Sequence, residues 1–301
     1  MYSYSVIMDD ISGCIVARKY RVDKCIGSGK FGNVYKGVNI KTNEYVALKL
    51  EDKRTSFKLL KRETAIMNYL YEHNCRNIPC VHWFGQIYNS MCMVMPYYDC
   101  SLYEYGQLKT LSENKLDSLM VQCIHILQSI QTNMVLHRDI KPQNFMVKNG
   151  ELYLIDFGLA TFYINDNKLH VPNVIGEFVT GTPKYISQHV HEGCTPSRRD
   201  EFISLGYIYI YMYAKELPWD SVFTDTNMST HTNEIHIMHS KNQQRKQMKS
   251  PDNIANICQR INMRIENYFR FCNAYDYFDE PMYNSLCSLF IDYKNNIREM
   301  I

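Results

Sequence analysis

The sequence lacks any strong excess of charge. Across 301 residues, 33 Lys and Arg stand against 31 Asp and Glu, a formal net charge of +2. No global field therefore demands a nucleic acid or a membrane surface as partner. It lacks an apolar run long enough to span a bilayer: the longest, around residues 203–214, is short and broken by tyrosines. It lacks a secretory leader, because the first ten residues carry acids and no basic segment ahead of an apolar core. Its 11 cysteines lack a metal pattern; the spacings Cys75/Cys80 and Cys92/Cys100 fit no repeated C-x2-C zinc motif. There is no internal repeat and no clear nuclear-localisation run. These absences point to an intracellular protein, cytoplasmic or nuclear, with reduced thiols that act as small buried hydrophobes. No obligate partner is implied, and a monomer is expected.

Hydrophobic residues at 46% and charged residues at 21% are ordinary for a soluble globular chain. A length of 301 residues exceeds one small core and suits one large domain or two lobes sharing an interface. Residues 20–26, 33–39 and 45–51 read as strands, separated by a glycine-rich turn and by a polar turn at 39–43. Residues 57–71 read as a helix, since Ile66, Met67 and Leu70 recur at helical spacing. Short strands are expected near 81–86 and 90–95. After Pro96 the character changes. Residues 112–133 are expected as a long amphipathic helix, with Leu116, Leu119, Cys123, Leu127 and Ile130 on one stripe and Ser112 as N-cap. Strands at 145–147 and 152–155 flank a turn at Asn149-Gly150. The rest reads as mostly helical, with a polar loop containing some helix over 224–250. The organisation expected is a small β-rich lobe, 1–96, and a larger helical lobe, 97–301.

Four stretches carry chemistry. In Gly27-Ser28-Gly29-Lys30-Phe31-Gly32-Asn33-Val34, glycines would let backbone N–H groups approach phosphates. Alone, this run also suits a dinucleotide-binding turn or a plain hairpin, but it continues into a strand where the dinucleotide fingerprint opens a helix. In Val46-Ala47-Leu48-Lys49, strand alternation puts Tyr45, Ala47 and Lys49 on one face, where the lysine can reach phosphates and Ala47 can lie against a base. Its bland alternative is an edge-strand lysine in solvent. Glu63 shares a helical face with Ile66, Met67 and Leu70, and an acid on an apolar face needs a partner. Lys49 is the natural one. Finally, His137-Arg138-Asp139-Ile140-Lys141-Pro142-Gln143-Asn144 is followed twelve residues later by Asp156-Phe157-Gly158. Phosphoryl transfer needs a proton acceptor, a cation near the γ-phosphate and ligands for magnesium. Asp139, Lys141, and Asn144 with Asp156 supply these in turn.

With these motifs in this order, the chain from about Tyr20 onward resembles a eukaryotic protein kinase, and within that superfamily the casein kinase 1 family. The finer resemblance rests on residues 137–145, on Thr180-Gly181-Thr182-Pro183-Lys184-Tyr185-Ile186-Ser187, and on Ser197-Arg198-Arg199-Asp200-Glu201 leading to Ser204-Leu205-Gly206-Tyr207 and Leu217-Pro218-Trp219. The resemblance implies an α+β bilobal protein-kinase fold, with 1–301 as one catalytic domain. It implies ATP and Mg2+ as cofactors and protein substrates whose Ser or Thr hydroxyls receive the γ-phosphate. It places Ile26, Gly27, Ser28, Gly29, Lys30, Phe31, Gly32, Val34, Ala47, Lys49, Met95, Pro96 and Tyr98 at the nucleotide, Met95 as gatekeeper and residues 96–98 as the hinge. It matches Thr182 to the residue expected to bridge Asp139 and Lys141, and Lys141 argues against a tyrosine kinase. His137, Phe157 and Met67 match a stacked hydrophobic spine.

Departures set further expectations. Glu201 stands where the family has the aspartate that anchors the catalytic loop, so a looser or shifted anchor is expected. Arg198 and Arg199 match part of an anion site for acidic or already phosphorylated substrates, or else pin the activation segment. Lys241, Arg245, Lys246 or Lys249 would supply its other half. His231, His236 and His239 read as a solvated polar stretch, with a metal site as the rival. Thr161, Tyr163, Thr180 and Thr182 form no evident phosphorylation switch. The alternative function is a catalytically weak or inactive pseudokinase acting as a binding scaffold; a second rival, a small-molecule kinase on the same fold, is opposed by residues 180–185, which resemble a peptide-docking loop.

Overall fold

The computed structural model describes residues 11–29, 32–52, 58–176, 179–223 and 231–291, with 222–223 and 231–239 described by backbone alone. The chain divides into two units. The first runs through Asp99 and includes Ile155–Gly158; the second holds Cys100–Leu154 and the chain from Leu159 onward. The capture of Ile155–Gly158 by the first unit is not visible in a linear reading. Within it, Asp156 forms an ion pair with Lys49 at 2.7 Å.

The first unit is built on an antiparallel sheet of β1 (Ile15–Val16), β2 (Tyr20–Gly29), β3 (Gly32–Asn39), β4 (Tyr45–Asp52), β5 (Trp83–Ile87) and β6 (Ser90–Pro96), in the order β1-β2-β3-β4-β6-β5. Alternation decides its faces. Val46, Leu48 and Leu50 of β4 join Tyr20, Val22, Tyr35, Cys92 and Val94 in one apolar cluster. The opposite face of β4 carries Ala47 and Lys49, and register sets Met95 of β6 across from Ala47 and Val34 of β3 across from Lys49. Helix α1 (Leu59–Glu72) buries Leu60, Glu63, Thr64, Ile66, Met67 and Leu70. Gly32 must be glycine: its φ is +125°, and a Cβ there would lie 1.8 Å from the Leu50 carbonyl oxygen.

The second unit is mainly helical. A small sheet pairs β7 (Cys100–Ser101), β9 (Phe145–Lys148) and β10 (Glu151–Leu154) in the order β10-β9-β7, and β8 (Val135–Leu136) pairs with β11 (Thr161–Phe162). Asn149 and Gly150, at φ +54° and +85°, make the β9–β10 turn where the Asn-Gly signal put it. The helices are α2 (Leu102–Leu108), α3 (Glu113–Thr132), α4 (Gln188–His191), α5 (Arg198–Ala214), α6 (His231–Met248), α7 (Pro251–Gln259), α8 (Met263–Ala274) and α9 (Tyr283–Ser288). Ser112 caps α3 by accepting from Lys115 N at 3.3 Å. The core helix is α5, buried continuously from Asp200 to Met212.

The expectation of a loop with some helix over 224–250 is corrected in part: 224–230 lie outside the described residues, and 231–248 is one continuous helix. It contains no Gly or Pro, and its Met, Gln, Lys and Arg residues favour helix without an apolar stripe. The side chains of His231, His236 and His239 lie outside the described residues.

Candidate active site

In the first unit the site begins with Lys49. Its ammonium lies 3.0 and 2.8 Å from the two Glu63 carboxylate oxygens and 2.7 Å from Asp156 Oδ1. Glu63 is 2% exposed, so its charge depends on this partner. Burial acts to lower the Lys49 pKa, but the attraction of Glu63 and Asp156 outweighs it and holds the ammonium protonated. Burial pushes the Glu63 carboxyl up, against the pull of Lys49. Asp156 sits at φ +65°, a strained conformation for a non-glycine residue.

A residue that sequence reading missed supports this arrangement. Glu51 accepts from Leu59 N and Leu60 N, both at 3.1 Å, and so caps the helix that carries Glu63. The available signal was alternation, since Glu51 follows Lys49 by two and shares its face. Ala47 and Met95 are buried at 7% and 8% exposure on that same face. Tyr98 is also buried, and Pro96 is paired with Val46 at the end of β6. Ile26, Gly27, Ser28 and Gly29 are exposed along β2, and Val34 is half-buried. Lys30 and Phe31 lie outside the described residues.

The second unit brings together the other predicted group. Asp139 Oδ2 receives the Lys141 ammonium at 2.6 Å, and Asp139 Oδ1 accepts from the Thr182 hydroxyl at 2.6 Å. Lys141 also donates to Thr182 Oγ1 at 3.2 Å, closing a triangle. Asn144 Nδ2 donates to the Asp139 carbonyl at 2.8 Å. That contact orients the amide and leaves its oxygen outside it. Arg138 takes φ +66° and donates from Nε to Leu159 O at 2.7 Å.

The catalytic-loop anchor corrects one expectation. Glu201 Oε1 accepts from His137 N at 2.6 Å and Arg138 N at 2.8 Å, so the anchor is neither loose nor lost. The extra methylene is accommodated because Gln131 of α3 donates to Oε2 at 2.8 Å, while Tyr283 donates to Gln131 Oε1 at 3.2 Å. Complete burial pushes the Glu201 carboxyl up to about 7, despite these three donors. Neither Gln131 nor Tyr283 carried a sequence signal.

The three family-like stretches meet within this unit. Ser187 donates to Asp200 Oδ1 at 2.6 Å, and Trp219 Nε1 donates to Lys184 O at 2.7 Å. Arg198 and Arg199 are committed to the chain itself, donating to Phe278 O at 2.6 Å and Tyr275 O at 2.9 Å. They therefore hold the 275–278 loop. Lys249 and Arg245 are buried, and Lys246 pairs with Glu192 at 3.2 Å. Arg245 and Lys249 therefore offer no exposed half to an anion site, while Lys241 is half-buried.

A model of the protein kinase domain matches residues 20–285. The chain belongs to the protein kinase family. Kinases of this family are phosphotransferases that act on protein substrates, with ATP as phosphoryl donor and typically with Mg2+. In this kinase each unit carries an oxygen donor: the Asp156 carboxylate, whose side chain is 40% exposed, in the first and the Asn144 amide in the second. Oxygen donors of this kind fit Mg2+, which keeps water and phosphate ligands and needs few from protein. Among the described residues no group of three His, Cys, Asp or Glu forms a metal cage, and no helix is long and apolar enough to cross a membrane.

Proposed function

We propose that the chain is an active serine/threonine kinase of casein kinase 1 type, with ATP and Mg2+ as its nucleotide and metal. The observation that carries this reading is the Asp139–Lys141–Thr182 triangle. Asp139 accepts the proton of the acceptor hydroxyl as that oxygen attacks the γ-phosphorus, with ADP leaving. Lys141 compensates charge on the transferred group, and its presence two residues after Asp139 favours Ser and Thr over Tyr. Thr182 fixes the carboxylate for that task.

The first unit contributes the electrostatic part. Lys49, held by Glu63, serves the α- and β-phosphates; Asp156, together with Asn144 from the second unit, would hold the metal, which would neutralise phosphate charge. Ala47, Met95, Pro96 and Tyr98 receive the adenine. Proline lacks an N–H but keeps its carbonyl, so Pro96 and the Tyr98 N–H suffice for the base edge. Residues 26–34 cover the phosphates. A Cβ added at Gly29 would meet nothing within 4 Å, and its φ is not positive, so nothing among the described residues requires glycine there. Close approach of a phosphate would require it.

The scaffold alternative is disfavoured because Lys49, Asp139, Asn144 and Asp156 are all present, with Lys49 and Asp139 already engaged. Radiolabel transfer from ATP to casein tests the reading. Asp139→Asn and Lys49→Met are expected to lose transfer by orders of magnitude, about 10²-fold or more. Label incorporation equal to the unaltered protein in either variant would defeat it.

A further inference from the structure

Lys249, one residue beyond α6, is 2% exposed, and among the described residues no carboxylate is within hydrogen-bonding distance of its ammonium. It donates to Pro183 O at 2.9 Å and to Ile186 O at 2.7 Å, and lies 3.1 Å from His191 Nε2. Three acceptors meet the three protons of an ammonium. The faces of Tyr207 and Trp219 close the site, 5.0 and 4.9 Å from Nζ to their ring centroids. His191 is kept neutral, pushed down to about 3 by burial and by Lys249, so Nε2 accepts while Nδ1 donates to Asn242 Oδ1. Burial and the Arg245 charge push the Lys249 pKa well below its ordinary value; the Asp220 charge and the matched protons favour the ammonium against them.

What this cation grips is the turn immediately after Thr182. Tyr185 N and Ile186 N bond back to Thr182 O at 2.8 and 3.2 Å, so 182–186 is one tight turn. Lys249 holds two carbonyls of that turn, and Trp219 holds a third, Lys184 O. Thr182 at its head contacts Asp139. We propose that Lys249 is a positioning residue for the protein substrate, its ammonium fixing the segment on which the acceptor peptide docks. This rests on the reading of residues 180–185 as a peptide-docking segment in a working kinase.

The test is steady-state kinetics of the full chain with a casein-derived peptide, varying peptide and ATP separately. Lys249→Met keeps the stem and removes the donors. Its peptide KM is expected to rise about 10-fold, equivalent to about 1.4 kcal/mol, with the ATP KM within about twofold of the unaltered protein. Lys246→Met, a charge removed from α6 itself, is expected to leave both unchanged. A merely structural role predicts a lower melting temperature with peptide KM unchanged, or peptide and ATP KM shifting together, and either result overturns the proposal. If Lys249→Met does not fold, Lys249→Gln, which keeps two donors, carries the same readout: a smaller rise in peptide KM supports the proposal and none overturns it. Absence of transfer by the unaltered protein defeats the underlying kinase reading, and this proposal with it.

Discussion

Glu201 shows how one methylene can be absorbed by a neighbouring side chain. Its carboxylate reaches the His137 and Arg138 amides because Gln131 takes up its second oxygen. The ionised form is nonetheless disfavoured by burial, with the pKa raised from 4.5 to about 7. The folded state therefore binds more protons than the unfolded state between these values. Stability from this group is fully present below about pH 4.5 and is lost as pH rises through about 7. Relative to Glu201→Gln, which is neutral throughout, the unaltered protein should lose on the order of 3 kcal/mol over that interval. Urea melts of both proteins at pH 5 and pH 8 measure it. A difference that does not vary with pH would contradict the assignment. The longer arm of glutamate was legible in the sequence; the Gln131 that accommodates it was not, because 70 residues separate the two.

At the scale of elements, the helix carrying Glu63 depends on a strand residue for its first turn. Glu51→Ala leaves the Leu59 and Leu60 amides without their carboxylate, and should cost about 1–2 kcal/mol, as loss of an N-cap does. Denaturant midpoints would read this, and an unchanged midpoint would show that other groups satisfy those amides. The same scale shows what a sequence makes visible. Helix α3 was found nearly to the residue because Ser112 signals its start and an apolar stripe its length. The β9–β10 hairpin was found through Asn149-Gly150. Helix α6 was missed because it has no apolar stripe, and periodicity is the signal on which such reading depends. Strand alternation correctly gave the face of Lys49, and helical spacing that of Glu63, so their pairing followed from two local periods.

At the scale of the whole molecule, the family match over residues 20–285 embraces both units. Each unit holds part of the proposed site: Lys49, Glu63 and Asp156 in the first, Asp139, Lys141, Asn144 and Thr182 in the second. Residues with motif spacing were legible from sequence, because phosphoryl transfer constrains their types and order. Residues that brace them from a distance, such as Gln131 and Tyr283, were not, and Lys249 was legible only in another role. Their roles arise only when helices far apart in the chain pack together. The proposed anion site changed for the same reason, as packing commits Arg198 and Arg199 to backbone carbonyls.

The most direct measurement is phosphate transfer from labelled ATP to three peptides that differ only in carrying Ser, Thr or Tyr at the acceptor position. The triangle around Asp139 predicts label on Ser and Thr, with Tyr labelled roughly 10²-fold less, a discrimination of about 3 kcal/mol. Equal labelling of Tyr would contradict the specificity, and no label on any of the three would contradict catalysis itself.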